Sequence, residues 1–386
     1  MNTSALPIPD ADALAHSAKL LQVIHDQIAV EHWISFARYM ELALYEPGLG
    51  YYSAGAQKFG EAGDFVTAPE MTPLFGQAVA QQVMEVLAQT SGDVLELGAG
   101  RGRLAVSMLE EMQRAGGLPG QYLILEVSAD LRHVQQQYLE SVLPPHLYAK
   151  VVWLDALPAD FTGVIVANEV LDAIPVHLVR KQENKFHELG VGLDEYGDLV
   201  LQAHPLAAGS DLERALAGLD LPDGYQAEVS PAMQALVAAL SACLRQGVML
   251  LIDYGFSRAE YYHPQRDMGT LMCHYRHYAH TDAFLYPGLQ DLTAHVDFSA
   301  VAETGMAHGM QLLGYCGQAQ FLINCGITDL LLRVPARDVS QYAPLASQAQ
   351  KLLSPAEMGE LFKVIALGRE VMPLSGFVRG DRSHIL

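Results

Sequence analysis

The chain is short of positive charge, cysteine and long apolar runs, and each shortage removes a class of function. Its 386 residues carry 23 Lys and Arg against 44 Asp and Glu, a formal net charge of −21. A protein that grips a phosphate backbone over a broad surface needs clustered Lys and Arg, so no nucleic acid is expected as partner. Such a net negative charge can attract a basic partner or peptide, or serve solubility alone, which charge by itself favours. The four cysteines, Cys243, Cys273, Cys316 and Cys325, show neither close pairing nor metal-ligand spacing. Free thiols in a reducing compartment, and no metal site, are the expectation. No apolar run approaches the length of a membrane span; Val248 to Ile252 is a typical short one. The first thirty residues include Asp10, Asp12, His16 and Asp26, and no Arg precedes Arg38. That pattern predicts neither a secretory signal nor a transit peptide, hence a cytoplasmic protein.

What is present is apolar mass and glycine in one telling place. Hydrophobic residues make up 51% of the chain, enough for one large domain with insertions or two smaller ones. Residues 93–102 read Asp-Val-Leu-Glu-Leu-Gly-Ala-Gly-Arg-Gly. Val94, Leu95 and Leu97 predict a short strand, and Leu104 to Met112 a helix. Strand, glycine turn and helix form a nucleotide-cofactor cradle. Gly98, Gly100 and Gly102 let backbone approach a ligand, and the helix start offers free N–H groups. A pyrophosphate fingerprint wants a third Gly where Arg103 stands. Glu96, at the strand's end, would repel a pyrophosphate but suits an amino-acid group carrying an ammonium and a sulfonium.

The pattern on either side is that of a doubly wound α/β sheet. Strands are predicted at 93–97, 122–126, 150–153, 163–168 and 248–253, with last strands at 310–314 and 362–367. Their apolar runs lack polar alternation, as strands covered on both faces should. The predicted organisation is a flexible tail over 1–18 and an N-terminal helical and lid region over 19–90. A cofactor-binding core follows, built from 91–175, 229–325 and 361–372. A β-rich insertion occupies 176–228, with a hairpin turn at Glu195 to Asp198 and a soft loop at about 204–226. Residues 326–360 form a helical insertion and 373–386 a C-terminal tail.

Ligands of such a sheet bind beyond the carboxyl ends of its strands. Acidic residues stand at all five ends: Glu96, Glu126, Asp155, Glu169 after Asn168, and Asp253. Buried carboxylates are costly unless paired, so a shared ligand would explain the set. Glu126 can take both hydroxyls of a ribose, or cap the next helix. Asp155 can meet an adenine amino group, or act as an N-cap. Glu169 and Asp172 are three apart, and a helical turn would put both on one face to grip a guanidinium. Asn168 and Glu169 could instead cap a helix after the fourth strand. His295, in Asp291-Leu-Thr-Ala-His-Val-Asp-Phe298, could orient a substrate nitrogen, accept a proton, or merely pack or cap.

Glu-x-Gly-x-Gly-x-Gly resembles the class I S-adenosylmethionine methyltransferase pattern. More specific is the set Arg38-Tyr-Met-Glu-Leu-Ala-Leu-Tyr-Glu-Pro47, Gly50-Tyr-Tyr52, Gly63-Asp-Phe-Val-Thr-Ala-Pro-Glu70, Leu95-Glu-Leu-Gly-Ala-Gly-Arg-Gly102, Glu126-Val-Ser128, Ala167-Asn-Glu-Val-Leu-Asp-Ala-Ile-Pro-Val176, Ile252-Asp-Tyr-Gly255 and Asp291 to Phe298. In this order, over most of the chain, it resembles the MidA-like methyltransferases, whose mitochondrial members serve complex I assembly as protein arginine methyltransferases. Gly-Ala-Gly stands where many relatives carry Gly-Pro-Gly.

The resemblance implies a Rossmann-like class I fold with S-adenosyl-L-methionine as methyl donor. The implied acceptor is an arginine of a protein, in the mitochondrial members a respiratory complex I subunit. It places Glu96, Gly98, Gly100, Gly102, Glu126, Asp155, Asn168, Asp64 and Thr67 at the cofactor. Glu169, Asp172 and His295 become the catalytic set, with 45–70 as a lid. A small-molecule O- or N-methyltransferase using His295 as base, or an assembly chaperone that binds the donor without essential catalysis, are the alternatives.

Overall fold

The computed structural model describes residues 6–53 and 67–386. The chain divides into two compact units. The first comprises Met1–Phe65, Asp172–Ala235 and Arg258–His295; the second comprises Val66–Leu171, Leu236–Ser257 and Val296–Leu386.

The second unit is built on one sheet. Its main strands are β1 (Asp93–Leu97), β2 (Tyr122–Leu125), β3 (Val151–Leu154), β4 (Phe161–Asn168), β5 (Leu244–Phe256), β6 (Gln311–Gly317) and β7 (Phe362–Arg369). They lie in the order β6-β7-β5-β4-β1-β2-β3. β1 to β5 run parallel, while β7 is antiparallel to both β5 and β6. Val164, Ile165, Val166 and Ala167 of β4 are at most 1% exposed, so side chains on both faces are covered, as the unbroken apolar run requires. Helices Arg103–Ala115 and Ala129–Val142 link β1 to β2 and β2 to β3. Helix Pro73–Thr90 packs so closely on the first of them that a Cβ at Gly76 would fall 1.9 Å from Ser107 Oγ. The five parallel strands, the two last strands and the helical stretch (Ile327–Leu331, Val339–Leu353) lie where the sequence pattern puts them, within a few residues. The architecture is the expected α/β, doubly wound, Rossmann-like sheet.

The first unit carries a five-stranded sheet of Ile34–Ser35, His177–Gln182, Lys185–Leu193, Leu199–Pro205 and Gln226–Val229. The predicted hairpin turn is present: Asp194 Oδ1 accepts from the N–H groups of Tyr196 and Asp198, both at 2.9 Å. Two expectations need correction. Helix Ala11–Glu31 begins well inside the segment read as a loose tail, because Asp10 caps it by accepting from Ala13 N at 2.8 Å. Its Ser17, Leu20, Ile24 and Ile28 form a buried stripe at spacings of three and four. The segment read as a soft loop contains helix Asp211–Ala215, capped by Ser210. Leu212, Leu216, Leu221 and Tyr225 pack there with Val179, and four anchors of that size are enough to order a polar stretch.

Candidate active site

The strand order reverses between β1 and β4, and open α/β sheets bind ligands at such a switch point. Leu97 and Ala167 are direct partners across it, so Gly98, just past the end of β1, and Asn168, the last residue of β4, come side by side. The three glycines serve different ends. Gly100 has φ +53°, and among the described residues a Cβ there would meet nothing within 4 Å, so they leave its outer side open. A Cβ on Gly98 would stand 2.9 Å from Val170 Cγ2, which joins the loops after β1 and β4. At Gly102 it would strike Leu139 Cδ1 at 2.2 Å, so this glycine admits helix Ala129–Val142. Gly102 also starts helix Arg103–Ala115 with no side-chain cap, leaving that end with its partial positive charge.

Glu126 follows β2 and is held in place by the protein. Its Oε1 accepts from Ser128 N at 2.9 Å and its Oε2 from Gln135 Nε2 at 2.9 Å. Burial raises its pKa, and those hydrogen bonds pull the other way. The helix-cap alternative falls to Ser128, whose hydroxyl accepts from Leu131 N. Gln135 Nε2 also donates to the Gly100 carbonyl at 3.0 Å, and its Oε1 accepts from Trp153 Nε1 at 3.0 Å. Asp155, beyond β3, is an exposed carboxylate paired with Arg132. Glu96 turns inward: it is 2% exposed and accepts from the Tyr122 hydroxyl at 2.7 Å. These three strand-end acids thus have separate protein partners, Ser128 and Gln135 for Glu126, Arg132 for Asp155 and Tyr122 for Glu96, and a single shared ligand is not needed to explain them.

After β4 the chain does not form a helix, which corrects the idea that Glu169 and Asp172 share a helical face. Glu169 lies in the left-handed region at φ +53°, and its N–H donates to Ile252 O at 2.9 Å. Val170 N and Leu171 N donate to Asp253 Oδ2 at 3.2 and 2.9 Å, and Tyr254 N to Asp253 Oδ1 at 2.9 Å. Asp253 thereby satisfies N–H groups that would otherwise stand unpaired where the chain turns out of β4. Asn168 Nδ2 donates to Glu169 Oε1 at 3.1 Å, while Asn168 Oδ1 is buried with no hydrogen-bond partner among the described residues.

The remaining candidates stand elsewhere. Thr67 precedes the short helix Ala68–Met71; Asp64 lies outside the described residues, as do residues 54–66 of the expected 45–70 lid. Asp172 and His295 belong to the first unit. The Asp172 carbonyl accepts from Ala294 N at 3.0 Å, and His295 N donates to Thr270 Oγ1 at 3.1 Å. Thr270 is fastened in turn to the buried carboxylate of Glu228. Near Asp172, the Tyr52 hydroxyl donates to Asp291 Oδ1 at 2.9 Å, and burial followed by the charge of Asp291 pushes its pKa up. Gln135 was not singled out from sequence. The available signal was a Gln four residues from both Leu131 and Leu139, inside an apolar stripe.

Known proteins resemble this chain over most of its length. Residues 74–316 match the family described as "Putative S-adenosyl-L-methionine-dependent methyltransferase". A Burkholderia thailandensis protein solved with S-adenosyl-homocysteine bound is 49% identical, with a TM-score of 0.95 over 99% of this chain and 100% of that one. The mitochondrial protein arginine methyltransferase NDUFAF7 of Rattus norvegicus is 30% identical over 383 residues, covering 91% of this chain and 85% of its own. The Caenorhabditis elegans homologue is 29% identical over 379 residues, 90% and 86% of the two chains. Among the described residues, no helix is long and apolar enough to cross a membrane. This chain belongs to that family of S-adenosyl-L-methionine-dependent methyltransferases, and S-adenosyl-L-methionine is its cofactor.

Proposed function

We propose that the protein methylates an arginine side chain of a protein substrate, with the donor held at the β1/β4 switch point. Two observations carry the donor site: among the described residues, a Cβ on Gly100 would meet nothing within 4 Å, and the buried Oδ1 of Asn168 has no hydrogen-bond partner. An unpaired buried acceptor is costly, and a ligand donor such as an ammonium would relieve it. Glu126, oriented by Ser128 and Gln135, would hold the ribose hydroxyls, since a carboxylate with roughly four acceptor sites has capacity beyond its protein bonds. Asp155 is assigned to the adenine end. Glu96, Gly98, Gly102, Thr67 and Asp64 complete the proposed cradle.

The bound cofactor supplies a methyl group already activated by a sulfonium. The chain's task is to orient the acceptor and exclude water. Glu169 would hold the guanidinium and localise its charge away from the attacking nitrogen. As the N–CH3 bond forms and the S–CH3 bond breaks, one N–H proton leaves the acceptor. His295 is assigned as its acceptor and Asp172 as a second carboxylate for the guanidinium, both on their motifs alone. The 45–70 segment would act as a lid. Relatives named protein arginine methyltransferases and the charge of −21 favour a basic protein substrate. A respiratory complex I subunit, met in the cytoplasm, is the acceptor the family resemblance points to.

The test is Glu169→Gln. Methylation of arginine, followed by mass spectrometry of labelled proteins, should be lost while calorimetric affinity for S-adenosyl-homocysteine is kept. Equal loss of both would move Glu169 from substrate to cofactor duty. No arginine methylation with the wild-type protein would sink the acceptor assignment.

A further inference from the structure

We propose that Gln135 is a positioning residue that sets both ends of the donor site from one buried point. The proposal rests on the reading that Gly100 and Glu126 hold the donor, and it names what holds them. Gln135 is 0% exposed. A carboxamide has two N–H donors and one acceptor oxygen, and all are used. The nitrogen donates to the Gly100 carbonyl at 3.0 Å and to Glu126 Oε2 at 2.9 Å, while the oxygen accepts from Trp153 Nε1 at 3.0 Å. One side chain therefore ties the glycine loop after β1 to the carboxylate after β2 and the indole of β3.

The orientation of the amide follows from its partners. Reversed, its oxygen would face a carbonyl and a carboxylate, and its nitrogen an indole N–H. The Gly100 carbonyl is thereby committed to a buried side chain. Holding Oε2 of Glu126 fixes the carboxylate plane, so its remaining lone pairs are presented in one direction. No other side chain does this. Methionine fills the volume without a donor, and glutamate places a second negative charge against Glu126.

The site carries its own reporter. The chain has two tryptophans; Trp153 bonds to Gln135, and Trp33 lies in the first unit, stacked on His204. Trp33→Phe therefore leaves emission from Trp153 alone.

The experiment compares S-adenosyl-homocysteine affinity by calorimetry in wild-type protein, Glu126→Gln, Gln135→Met, Gln135→Glu and the double variant Glu126→Gln with Gln135→Met. Glu126→Gln tests the underlying reading by itself: unchanged affinity there removes the site, whatever Gln135 does. With that affinity impaired, Gln135→Met and Gln135→Glu should each bind tenfold or more weakly at pH 8. The double variant should bind several-fold more weakly than Glu126→Gln, because the Gly100 tether is lost as well. Lowering the pH toward 5.5 should restore binding by Gln135→Glu, whose neutral carboxyl can donate again to Glu126, and should not restore Gln135→Met. A purely structural role predicts no such recovery. In the Trp33→Phe background, Gln135→Met should shift the Trp153 emission. The proposal is overturned if both Gln135 variants bind within twofold of wild type, if pH leaves Gln135→Glu unrestored, or if the emission does not move. If Gln135→Met fails to fold, Gln135→Glu and its pH profile decide.

Discussion

Glu96 and Tyr122 meet inside the sheet, the Tyr122 hydroxyl donating to Glu96 Oε2 at 2.7 Å with neither side chain more than 2% exposed. Burial raises the Glu96 pKa to about 7, against the lowering effect of the Tyr122 hydrogen bond and with a further rise from Glu126. An acid whose folded pKa lies above its unfolded value binds more protons when folded. Its contribution to stability is then full at low pH and is lost as pH climbs from the unfolded value near 4.5 through about 7. Denaturant unfolding of wild-type protein should therefore show stability falling between pH 5 and pH 8. Glu96→Gln, which keeps an acceptor for Tyr122, should remove on the order of 2–3 kcal/mol of that fall. A weakened affinity for S-adenosyl-homocysteine in the same variant would support a cofactor role for Glu96 in addition.

Gly100 and Gly102 should separate binding from folding. Gly100→Ala meets no protein atom but keeps φ +53°, so it should cost about 1–2 kcal/mol of stability. Its methyl group would occupy the open face, and calorimetric affinity for the cofactor product should fall tenfold or more. Gly102→Ala would press on Leu139 Cδ1 from 2.2 Å at φ +87°, and thermal melts should register a loss of about 2–4 kcal/mol.

Asp253 governs the turn that carries Glu169. Asp253→Ala would strip the partner from Val170 N, Leu171 N and Tyr254 N. Unfolding measurements should show a loss of about 2–4 kcal/mol. Steady-state turnover should drop further than cofactor affinity, because the acceptor-holding turn moves while the loop after β1 does not.

The acid limb of stability should run through Glu111. Burial raises its pKa, but hydrogen bonds from Arg114 and Arg333, followed by their charges, outweigh this and bring it to about 2. The sign is the reverse of Glu96: stability is present above the unfolded carboxylate value and is lost as pH falls toward 2. Arg333→Ala should destabilise the fold by about 2 kcal/mol at pH 7. It should also shift acid unfolding to higher pH, as monitored by circular dichroism.

Much of this was legible in the chain because the signals are local. Five apolar runs without alternation mark buried parallel strands, and glycine at every second position after the first marks the turn at β1. The misreadings also have local causes. Glu169 and Asp172 have helical spacing, but Glu169 sits in the left-handed region at φ +53°, which a right-handed helix excludes. The carboxylate of Asp253, more than eighty residues away, takes the N–H groups of Val170 and Leu171. The start of helix Ala11–Glu31 was missed because its first turns bury nothing and leave even Leu14 exposed, and only Ser17 and the leucine and isoleucines beyond it are buried.

Residue order alone determined the α/β class, the strand positions, the glycine turn and the acid at each strand tip, because hydrophobic period and backbone freedom are properties of neighbouring residues. Which acids face outward was decided only by folding. Glu96 and Glu126 both end apolar strands, yet one is turned in to Tyr122 and the other is held at the sheet's edge by Gln135. The partners that make this difference come from other strands and helices, and their distances exist only once the chain has packed.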